Sequence, residues 1–86
     1  MFTIEGIERI KFNYDDESPI EWKESFPDSE RTKSENYFSA AIHNAIRDFT
    51  AHGYENLGVS LIESDTCKTI TMSNDHKIIQ IQWNWS

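Results

Sequence analysis

The chain has 86 residues, 15 acidic against 8 basic side chains for a formal charge of −7, and 13% aromatic residues. That length holds a single domain with one core, the aromatic content excludes a disordered acidic chain, and the negative excess argues against a bare duplex or an anionic membrane as ligand. Cys67 is the lone cysteine, which rules out an intramolecular disulfide, and with no apolar run of about 18 residues and no secretory pattern a cytoplasmic location is expected.

The first segment, Phe2 to Tyr14, carries Phe2, Ile4, Gly6, Ile10, Phe12 and Tyr14 at even positions and mostly polar residues between them. This is the period of a half-buried strand. Glu8 interrupts the pattern, and a bulge or tight turn at Glu5-Gly6 is the expected repair, giving either one bent strand or a short strand followed by a longer one. After an acidic turn at Asp15 to Pro19, Ile20 and Trp22 alternate with Glu21 and Lys23, consistent with a second strand to about Glu24 or with a turn of helix. Pro27 then pushes Phe26 out of helical space and breaks the chain.

The next segment has the firmest periodicity. Phe38, Ile42, Ala45 and Phe49 recur at i, i+4, i+7 and i+11, flanked by Ala41 and Ile46, so a helix aligns them as one apolar stripe. Thr32 and Glu35 have capping-box spacing, Ser34 is an alternative N-cap, and Gly53 suits a left-handed terminator; the predicted helix covers about 33–52.

Strands follow to the C-terminus. Leu57, Val59 and Leu61 alternate with Gly58 and Ser60; Ile70 and Met72 alternate with Thr69, Thr71 and Ser73; and Ile79, Ile81, Trp83 and Trp85 alternate with Gln80, Gln82 and Asn84, with turns at 64–66 and 74–76. The expected fold is a single two-layer α+β domain, one helix on an antiparallel sheet, in the order β(β)-α-β-β-β. The stretch from Ile78 onward has no charge. Such a strand is either central in the sheet or uses its edge to pair with another copy.

Function is read from where the charge lies. Between Asn13 and Glu30 stand Asp15, Asp16, Glu17, Glu21, Glu24, Asp28 and Glu30 against Lys23 alone, while the remaining chain is close to neutral. Tyr14, Trp22 and Phe26 are threaded through these acids. Aromatic anchors supply much of an interface's affinity, and a rim of one sign speeds encounter with a partner of the other. The expected function is therefore a non-enzymatic acidic binding or inhibitor protein that occupies a basic surface of a partner protein, with nucleic-acid-processing proteins as the natural class. Toxin immunity proteins and phage-encoded inhibitors of host defence use the same physics, a likeness of behaviour and not of motif. The partner-binding residues are expected to be Tyr14, Asp15, Asp16, Glu17, Glu21, Trp22, Glu24 and Phe26, with no direct nucleic acid, membrane, cofactor or metal.

Two other readings are weighed. A self-assembling module would act as a homodimer through the strand Ile78 to Trp85. A small enzyme or ligand carrier would place His52, Glu55 and Cys67 in a pocket between helix and sheet, with Lys68 beside Cys67 to favour its thiolate. His43, His52 and His76 have no metal-ligand spacing, and Asp15, Asp16 and Glu17 lack the alternation and glycine of a calcium loop.

Overall fold

The computed structural model describes residues 1–10, 19–51 and 57–86. The expected strand beyond Ile10, the turn at Asp15, and the positions of Tyr14, Asp15, Asp16, Glu17, His52, Gly53 and Glu55 fall outside them.

The chain forms β1 (Phe2–Ile10), β2 (Ile20–Phe26), a 3-10 turn (Asp28–Glu30), helix α1 (Arg31–Ala51), β3 (Gly58–Glu63), β4 (Cys67–Ser73) and β5 (Lys77–Trp85). The five strands make one antiparallel sheet in the order β2-β1-β5-β4-β3, with α1 packed on one face; this is the α+β fold anticipated from the periodicities. Among the described residues no helix is long and apolar enough to cross a membrane.

Side-chain alternation sorts the sheet into two faces. Toward the helix point Phe2 and Ile4 of β1, Ile70 and Met72 of β4, and Ile79, Ile81 and Trp83 of β5, all buried and closed over by Phe38, Ala45 and Phe49 of α1. The other face carries no element among the described residues and is called the bare face, and its central rows read Ile7, Gln80 and Thr71, then Glu5, Gln82 and Thr69 across β1, β5 and β4. Helix coverage is uneven for a simple reason. A helix about 10 Å across spans roughly two strands spaced about 4.8 Å apart, and α1 lies over β5, β1 and the rim of β2. Strand β3 is left outside, exposed along its whole length.

The structure resolves the alternatives for the first and last strands of the chain. β1 runs from Phe2↔Phe26 to Glu8↔Ile20 against β2, and from Phe2↔Trp85 to Ile10↔Lys77 against β5, without a skipped residue. No bulge occurs at Glu5-Gly6. Glu8 does face the helix side, as its even position requires, and is neutralised there by the Lys77 ammonium at 3.2 Å. β5 is the third of five strands, paired by β1 on one side and β4 on the other. Its backbone offers no edge, which removes the strand Ile78 to Trp85 as a route to a homodimer.

The helix begins earlier than the cap signals suggested. Glu30 N–H donates to the Pro27 carbonyl at 2.9 Å, closing a 3-10 turn that leads directly into Arg31. Thr32 and Ser34 thus lie inside the helix. Ser34 is fully buried, its hydroxyl donating to the Arg31 carbonyl at 2.7 Å and accepting the indole N–H of Trp83 at 3.0 Å.

The β4–β5 turn is held by Asn74, a buried side chain whose Oδ1 accepts the backbone N–H groups of His76 at 2.8 Å and Lys77 at 2.9 Å. Asn74→Ala is expected to lower stability by about 1–3 kcal/mol in a urea titration, because two backbone donors lose their acceptor. Asn74→Asp keeps the acceptor and should recover most of the loss.

Candidate functional site

The described part of the predicted partner-binding set lies on β2, an edge strand. Its alternation sends Trp22, Glu24 and Phe26 toward the helix side and Glu21, Lys23 and Ser25 toward the bare face. The acids are thereby divided. Glu21 and Glu24 are both exposed, but on opposite faces of one strand, and neither has an ion-pair partner among the described residues. Lys23 reaches across to Glu5 of β1 at 3.6 Å. Asp28, just past Phe26, accepts a hydrogen bond from the Met1 amino group, which holds its carboxyl below the usual carboxylate range.

Trp22 and Phe26 are half-buried and brought together by a residue that the sequence reading did not single out. Tyr37 of α1 stands 6.0 Å from Trp22 and 5.6 Å from Phe26, ring centre to ring centre, at interplanar angles of 65° and 58°. Such edge-on pairs add stability beyond the area they bury. Tyr37 remains 39% exposed, so the three rings form a rim along the seam between helix and edge strand. A signal for it existed: Tyr37, Ala41, Asn44 and Asp48 repeat at i, i+4, i+7 and i+11, a second row one residue behind the core stripe.

That row borders a cleft of about 460 Å³ between α1 and β1-β2, with Trp22 and Tyr37 at one side and the small side chains of Ala40 and Ala41 leaving the space. Gly6 matters to this geometry. Trp22 sits opposite it in register, and the indole lies over the glycine so closely that a methyl there would overlap Cε2, Cζ2 and Nε1 of the ring. Acids close one end of the cleft. The Lys77 ammonium bonds to Glu8 and Asp48 and lies 5.0 Å from the centre of the Phe49 ring.

Of the residues weighed for an enzyme, His52 and Glu55 lie outside the described residues, and the other two, Cys67 and Lys68, are held apart. Cys67 is on the bare face, its Sγ accepting from Gln82 Nε2 at 3.3 Å and lying 3.7 Å from Thr69 Oγ1. Lys68, its neighbour in sequence, points to the other face with its ammonium 5.3 Å from the Trp83 ring centre. Adjacent strand residues diverge, so the cation does not stand beside the thiol. His43 is exposed on the helix and His76 is exposed in the turn before β5. Compared with known proteins, the chain matches no family model, no curated protein and no solved structure.

Proposed function

We propose that the chain is a non-enzymatic binding protein that docks the rim of β2 onto a basic surface of another protein, nucleic-acid-processing proteins being the natural class, in the manner of an immunity protein or a phage-encoded inhibitor. The observation that supports this most is on β2 itself: Glu21 and Glu24 flank the Trp22-Tyr37-Phe26 rim and carry no internal ion pair among the described residues. Unpaired exposed acids attract a basic groove from both faces of the edge. The half-buried rings then offer rigid apolar contact at little entropic cost.

The mode of docking also follows from the rim. A lysine or arginine side chain of the partner that enters the cleft meets the ring faces of Trp22 and Tyr37, which attract cations. Asp15, Asp16 and Glu17 extend the same acidic run in sequence and would add to the attraction.

The test is kinetic. With a basic partner captured from the native host, association should slow several-fold between about 50 and 300 mM salt as screening shortens the field. Glu21→Gln with Glu24→Gln should slow association and leave dissociation nearly unchanged, and neutralising Asp15, Asp16 and Glu17 should slow it further. Trp22→Ala should do the reverse, speeding dissociation by roughly ten-fold or more, as for an interface anchor worth about 1.4 kcal/mol. An association rate indifferent both to salt and to the neutralised acids would overturn the proposal.

A further inference from the structure

We infer that the open edge of β3 pairs with the same edge of a second copy of this chain, joining two sheets into one about a twofold axis at Ser60. The inference is independent of the function proposed for β2, which lies at the opposite end of the sheet.

An unguarded edge is the first observation. Among the described residues β3 is hydrogen-bonded to β4 on one side only, every one of its residues is exposed, and it has no charge from Gly58 to Ile62. Exposed strand edges are ordinarily protected by charges, prolines or bulges. β2 follows that rule with Glu21, Lys23 and Glu24. β3 does not: its register with β4 runs from Gly58↔Ser73 to Glu63↔Lys68 without a bulge, and Val59, Leu61 and Ile62 are 59%, 53% and 70% exposed.

The side-chain pattern selects the occupant. When a twofold axis stands perpendicular to the sheet at Ser60, Val59 of one copy faces Leu61 of the other and Leu61 faces Val59. Both pairs lie on the helix side, where they extend the apolar rows begun by Met72 and Ile70. Ser60 meets Ser60 and Gly58 meets Ile62 on the bare face. Glu63, the acid of this strand, falls opposite Leu57, so no like charges are opposed. An isologous contact of this kind needs one self-complementary surface.

Charge favours the same arrangement. Two chains of −7 repel each other, and the cost is smallest when their acidic parts are farthest apart. Joining through β3 sends both β2 edges to the outer ends, nine strand spacings or about 43 Å apart, several times the roughly 8 Å screening length at physiological ionic strength. A six-residue edge is a small interface, so the dimer is expected to exchange with monomer at micromolar concentration and not to be permanent.

Sedimentation equilibrium of the full chain, from about 1 to 200 µM, reads the mass across the range expected for an interface of this size. The expected result is a rise from monomer to dimer that added salt leaves unchanged or strengthens, the opposite of its effect on a basic partner. Val59→Lys with Leu61→Lys should keep the chain monomeric throughout, with circular dichroism unchanged. In a Cys67→Ser background, Ser60→Cys should form an intermolecular disulfide under mild oxidation at least ten-fold faster than Ser25→Cys on β2. Should the double lysine variant fail to fold, the cysteine pair decides alone. A monomer at every concentration, a dimer undisturbed by the lysines, or Ser60→Cys linking no faster than Ser25→Cys would each overturn the inference.

Discussion

Trp83→Ala is expected to cost about 3–5 kcal/mol of folding free energy, out of the roughly 5–12 kcal/mol that a chain of this length holds. Trp83 is fully buried at the centre of the helix-facing layer, stacked 5.4 Å from Phe2, with the Arg31 guanidinium and the Lys68 ammonium 5.6 and 5.3 Å from its ring centre. Removing the indole opens a cavity under α1 that its neighbours cannot fill. The ring's polar atom can be tested separately. Its N–H is satisfied by Ser34 Oγ at 3.0 Å, so Ser34→Ala leaves a buried donor without a partner, at about 1–3 kcal/mol. In a Trp83→Phe background there is no such donor, and the same Ser34→Ala change should be nearly neutral. Urea titrations of the four proteins should therefore give a coupling energy of about 1–3 kcal/mol; independent effects would mean that the serine is not the indole's partner.

Ser34 also shows why part of this core was legible in the sequence and part was not. Periodicity identified Phe38, Ala45 and Phe49 correctly, because apolar spacing reports which side of a helix is dry. It treated Ser34 as a cap, because a serine near a helix start has that role more often than it receives a tryptophan 49 residues away. For β5, the absence of charge from Ile78 onward left two readings open, a central strand or an edge used by another copy, and the sheet order decides for the first. β3 was not readable in the same way. Alternation places Val59 and Leu61 on the helix face, but whether a helix reaches that far depends on sheet order and helix width, neither of which is local.

The β2 rim divides along the same line. Composition locates acids and rings in one stretch, yet strand alternation separates Glu21 from Glu24, and Tyr37 arrives from another element. Tyr14, Asp15, Asp16 and Glu17 lie outside the described residues. Thus the charge was legible, the faces followed only once β2 was known to be a strand, and the aromatic partner required the tertiary fold.

Gly6→Ala is the second change with a large expected effect, and it acts on that rim without touching a charge. Gly6 is buried in the middle of β1, between β2 and β5, on the face that elsewhere carries Phe2 and Ile4. A glycine there weakens a strand by itself, so alanine should gain about 0.5–1 kcal/mol from a stiffer unfolded chain. The indole of Trp22 occupies the space the methyl needs, however, and overpacking of this kind costs about 1–3 kcal/mol. Because β2 is an edge strand, the ring can yield by swinging toward solvent, and the domain should remain folded but less stable, with the Trp22 indole resonance shifted toward that of an exposed ring. In a Trp22→Ala background the obstacle is absent, and Gly6→Ala should change sign and stabilise. On the proposed docking mode the same displacement should speed dissociation of a basic partner as Trp22→Ala should, while the association rate, which that mode assigns to Glu21 and Glu24, stays where it was. If Gly6→Ala destabilises equally with and without Trp22, the ring does not rest on the glycine, and the rim lacks the rigid seat that makes it an anchor.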